Sequence, residues 1–116
     1  MRYLLLIYVS EQAYDALPEA ERQEDFQNHY AYSNELVNAG AMRGGEALLP
    51  TTTATTVKVR DGKTLTTHGP FAETKEQLSG FYVVEAADLD GAIVWAAKLP
   101  TSKYGSVEIR PIMELP

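Results

Sequence analysis

A chain of 116 residues with 45% hydrophobic content suffices for one compact domain and is short for two, so residues 1–116 read as a single domain. Sixteen acidic against ten basic side chains leave a net charge of −6; Lys58, Arg60 and Lys63 come closest to a basic cluster, Asp61 interrupts them, and nucleic acid is set aside as a partner. The absence of cysteine removes disulfides, thiolate catalysis and Cys-ligated metal together, and suits a reducing cytoplasm.

The first segment, Arg2 to Val9, is apolar on both alternating faces: Tyr3, Leu5, Ile7 and Val9 on one, Leu4, Leu6 and Tyr8 on the other. That pattern predicts a central strand rather than a signal peptide, because the run is short and Ser10-Glu11 follows it. No stretch reaches the roughly 18 apolar residues of a membrane span, and the reading is a soluble protein with no membrane partner. Pro18 and the charges Glu19, Glu21, Glu24 and Asp25 open a helix that runs to Asn38 and stops at Gly40. Phe26, Tyr30, Ser33 and Val37 share one face at helical spacing, with His29 and Leu36 on its edge, so that face is expected to meet the sheet.

Gly44-Gly45 suggests a short or bulged strand. Asp61-Gly62 between alternating segments predicts a two-residue hairpin, with Val57 and Val59 inward and Lys58 and Arg60 outward. Gly80 to Glu85 is again apolar on both faces, a second central strand. Asp88 caps a helix carrying Leu89, Ala92, Ile93, Ala96 and Leu99, which Pro100 stops. The last segment alternates Val107 and Ile109 with Glu108 and Arg110, and Pro111 assigns it to a sheet edge.

The order predicts an α+β, ferredoxin-like split βαβ fold, βαββαβ with an inserted hairpin, whose first and third core strands lie in the middle. Two helices cover one face of such a sheet. The apolar residues on the other face predict a homodimer, the second chain covering them.

One connection concentrates unusual residues. "HGPFAETKEQLSGFYVVEA", with the later "WAAKLP" and "GSVEIRPI", resembles the YCII-related family, and in particular its branch named for the motif DGPFAETKE, which this chain matches at eight of nine positions. The resemblance covers nearly the whole chain and implies a dimeric α+β barrel. It implies no established activity, and many members are encoded near extracytoplasmic-function sigma factors. His68 stands where the motif has Asp. The more distant YCII-like branch carries a proposed catalytic His on the first helix and an Asp before a Pro after the second; His29 matches the former, whereas Leu99 precedes Pro100.

His29 and His68 are the side chains whose ordinary pKa lies near neutrality, and they are the acid–base candidates. Burial beside Phe26 and Tyr30 is expected to keep His29 neutral, and Glu73 and Glu76 to favour charged His68. Lys75 is the candidate for stabilising developing negative charge, and Tyr82 for donating a hydrogen bond. Pro70, Phe71, Glu73, Glu76, Tyr30 and Tyr82 are the candidate binding residues, with Thr66 to Leu78 expected as a wall of the largest pocket. Gly69-Pro70-Phe71 also reads simply as a turn, with Phe71 pinned to the core. No His-x-His or His-x-x-x-His spacing predicts a metal, and no cofactor motif is present. Two functions fit: a cofactor-free acid–base enzyme of isomerase or lyase type acting on a small organic molecule, or a non-catalytic sensor or accessory module of a sigma-factor pathway.

Overall fold

Alternating apolar residues make Arg2–Val9 the strand β1, and its inward set, Tyr3, Leu5, Ile7 and Val9, is buried in the computed structural model, which describes residues 1–116. A short helix α1, Glu11–Asp15, follows, its first turn capped by the Ser10 hydroxyl accepting from the Ala13 amide at 3.1 Å. The long helix α2 is Glu19–Asn38, then come β2 (Met42–Ala47), the hairpin strands β3 (Thr55–Arg60) and β4 (Lys63–His68), β5 (Gln77–Glu85), α3 (Leu89–Lys98) and β6 (Ser106–Pro111). β2, β5, β1 and β6 form an antiparallel four-stranded sheet in that order. The two strands read as apolar on both faces are its central pair, and the Gly-Gly and Pro-bearing strands are its edges.

Leu5 sits opposite Tyr82 on one side and Ile109 on the other, so one sheet face carries a continuous apolar band. Leu36, Val84, Ala92 and Leu99, each fully buried, close the core between that band and helices α2 and α3. Asp88 caps α3 as expected, accepting from the Gly91 amide at 2.9 Å.

Three expectations are corrected. The stripe of α2 that meets the sheet is not Phe26, Tyr30 and Val37, which are 68%, 65% and 59% exposed. It is Asp25, His29, Tyr32 and Leu36, equally helical in spacing, and its polar members find partners inside, as Tyr32 does by donating to the Trp95 carbonyl at 2.8 Å. Polar side chains so satisfied are retained inside a core. The hairpin has its Asp61-Gly62 turn, with both residues at positive φ, yet it forms a sheet of its own. Val57 and Val59 therefore have no core to face within the chain and stand 58% and 59% exposed. Phe71, 79% exposed, is no core anchor; the Lys58 ammonium lies 5.4 Å from its ring centre.

Candidate functional site

A cavity of about 720 Å³ opens between α2, the covered sheet face, α1 and the turn after α3. Its floor depends on a close approach: a Cβ on Gly45 would come within 2.8 Å of the Tyr82 ring, so only glycine leaves that ring in place. Phe26, Tyr30 and Tyr82 give the walls an aromatic character, while Glu11, Asp15, Asp25 and Glu46 are its carboxylates; no Lys or Arg lines it.

His29 is the polar centre. Its Nε2 lies 3.1 Å from Thr101 Oγ1 and 3.7 Å from Asp25 Oδ2. Asp25 is one helical turn earlier on the same face. Its carboxylate is itself held from both sides, Oδ1 accepting from the Tyr104 hydroxyl at 2.6 Å and Oδ2 from the Tyr14 hydroxyl at 3.1 Å. Thr101 is buried at 1% exposure because Pro100 stops α3 and starts a single 3-10 turn that points it back at α2. Burial lowers the pKa of His29 below its ordinary value, against an opposing upward pull from Asp25, and the imidazole is neutral near pH 7. Burial, then Asp25, raises the Tyr14 pKa; the same pair of causes raises that of Tyr104. Both hydroxyls therefore remain donors. Across the cavity, the Tyr82 hydroxyl and Ser33 Oγ share a hydrogen bond of 2.8 Å.

Of the candidate residues, His29, Tyr30 and Tyr82 meet in the cavity, while His68, Pro70, Phe71, Glu73, Lys75 and Glu76 lie outside its lining. The Thr66 to Leu78 segment thus forms no wall of it within the chain. His68 ends β4 on the hairpin, and no ion pair joins it to Glu73 or Glu76. Glu76 instead accepts from Ser106 Oγ at 2.7 Å. Asp25, Thr101, Tyr14 and Tyr104 are additions that the residue pattern left unassigned, although Asp25 and His29 stand at i and i+4. No three His, Asp or Glu side chains converge into a metal-ligating group.

Fold and cavity together define a ferredoxin-like α+β domain with a histidine–aspartate pair in an aromatic cleft. The chain belongs to the YCII-related domain family, whose match spans residues 1–116. An uncharacterized protein of Rhizobium meliloti (strain 1021) is 38% identical over 114 residues, covering 97% of this chain and 92% of that one. Among solved structures, the fold is similar to 5-chloro-2-hydroxyhydroquinone dehydrochlorinase of Burkholderia phenoliruptrix AC1100, in complex with 2,5-dihydroxybenzoquinone, with a TM-score of 0.59 and 15% identity over 97% of this chain and 94% of that one. No helix is long and apolar enough to cross a membrane.

Proposed function

We propose that the cleft binds a small, uncharged, ring-bearing organic molecule and that His29 moves a proton on it, without a cofactor, in an isomerisation or elimination. The observation that carries this reading is the neutral imidazole lining an aromatic cavity with Asp25 behind it. Neutral His29 accepts a proton from a carbon or hydroxyl of the substrate, and the imidazolium formed is stabilised by Asp25 at 3.7 Å. Thr101 fixes the ring by its bond to Nε2. Negative charge developing on a substrate oxygen meets the Tyr82 hydroxyl, which Ser33 orients. The proton then returns to a neighbouring atom, completing an isomerisation, or a leaving group departs with the electron pair, completing an elimination. Four carboxylates and no cation in the lining disfavour an anionic substrate. The quinone bound by the structurally similar dehydrochlorinase supports the choice of ring-bearing compounds as probes.

The protein acts as a cytoplasmic homodimer in this reading, joined through the sheet face that the helices leave open, where Leu4, Leu6, Tyr8, Phe81 and Val83 stand. A second reading, a sensor or accessory module that binds the molecule without turnover, is favoured by one observation: no Lys or Arg lines the cleft to stabilise a developing anion. Incubating hydroxylated aromatics, quinones and enolisable ketones with the protein in D2O, and following their C–H signals by NMR, separates the two. The enzyme reading expects exchange or turnover that His29→Gln abolishes. Saturable binding with no exchange favours the sensor, and equal exchange by His29→Gln removes His29 from the chemistry.

A further inference from the structure

The β3–β4 hairpin is built for contact that its own chain does not supply. A lone two-stranded hairpin is marginally stable in water, and this one pairs with no other strand. Residues directly opposite in the ladder share a face, so the register Thr55↔His68, Val57↔Thr66 and Val59↔Thr64 gathers a largely β-branched surface on one side. The other side gathers Lys58, Arg60 and Lys63, three cations that look interrupted in the sequence. With Asp61 the hairpin carries +2 against −6 for the whole chain, which leaves −8 on the remainder.

The size of the molecule shows that the chain leaves surface enough for a second copy to cover. The chain exposes 8236 Å², about 2,000 Å² more than a compact monomer of its mass. A standard interface buries about 800 Å² per partner, so the excess is ample for a dimer with an additional contact. The radius of gyration, 16.1 Å, likewise exceeds the roughly 13 Å of a compact chain of this length. On the body, the flank of α2 bearing Phe26 and Tyr30 is exposed at the cleft rim, and the first half of that helix carries Glu19, Glu21 and Glu24 against a single Arg22. The exposed aromatic strip on the body and the β-branched hairpin face are thus two surfaces that the chain itself leaves uncovered, while the cationic side of the hairpin stays turned to solvent.

We propose that the hairpin is an exchange arm, which lays its Thr55, Val57, Val59, Thr64, Thr66 and His68 face over the Phe26–Tyr30 flank of α2 in a second copy and closes that copy's cleft. Six residues per strand at about 3.4 Å each give the arm a reach of roughly 20 Å, enough to span from one body to the next. The arrangement brings His68, remote from the cleft of its own chain, to the rim of its partner's. It stands whether the cleft catalyses or only binds.

Because the chain has no cysteine, engineered disulfides report on it cleanly. Co-expressed Val57→Cys and Phe26→Cys chains, mildly oxidised, are expected to form a disulfide-linked heterodimer faster than Val57→Cys with Leu115→Cys, a pair with an equally open partner site that measures random collision. A rate no higher than that control overturns the proposal. Independently, Val57→Lys/Val59→Lys is expected to weaken dimerisation by about tenfold or more in sedimentation velocity, with unchanged circular dichroism. An unchanged dimer overturns the arm while leaving the open sheet face as the interface, and a wild-type monomer at micromolar concentration overturns both.

Discussion

Burial and Asp25 pull the His29 proton equilibrium in opposite directions, and burial prevails. Because the folded-state pKa lies below the unfolded value of about 6.5, the unfolded chain takes up the proton first as pH falls. His29 therefore costs no stability above about pH 6.5, and stability declines as pH drops from there through the folded pKa. Imidazole NMR should place the His29 midpoint below the model-peptide value. Asp25→Asn, by removing the one upward pull, should move it lower still and shift the acidic limb of any rate profile, where the base is lost to protonation, to lower pH; a midpoint that does not move refutes the pairing. The residue pattern exposed His29 but not its partner, since Asp25 also serves as one of several charges at a helix start. Thr101, Tyr14 and Tyr104 were beyond reach because they lie 72, 11 and 79 residues from the groups they bond. Only the fold brings such distant positions together.

At the level of elements, strand and helix identities were legible because their periods are strong. β1 and β5 repeat every two residues on both faces, and α3 has both its Asp88 cap and its Pro100 stop. The orientation of α2 was not, because two stripes of helical spacing compete and Phe26, Tyr30 and Val37 are the more apolar one. The stripe that wins holds fully buried Leu36, and Leu36→Ala should destabilise the fold by about 2–5 kcal/mol, read by denaturant midpoint. Phe26→Ala on the exposed stripe should leave the monomer's own packing almost unchanged. Gly45→Ala is expected to displace the Tyr82 ring, with which its Cβ collides at 2.8 Å; weaker ligand binding with near-normal strand content is the signature, and unaltered binding contradicts the role of that close approach. The hairpin turn was legible from Asp61-Gly62, while its separation from the main sheet was not, since alternation specifies two faces without saying what covers either.

For the whole molecule, the central sheet strands are apolar on both sides while the helices cover one. Leu6, opposite Phe81 and Glu108, lies on the open face, and Leu6→Lys should shift sedimentation towards monomer while the helical signal persists; an unaffected dimer places the interface elsewhere. The proposed function requires that the His29 cleft hold a small organic molecule. Thermal unfolding against a panel of hydroxylated aromatics, quinones and enolisable ketones, run in parallel on wild type and His29→Gln, tests it most directly, since a ligand of the folded state raises the apparent melting temperature. The account predicts at least one saturable, concentration-dependent rise in wild type that is reduced or lost in His29→Gln. A panel without any stabilising member, or a rise identical in the two proteins, contradicts it.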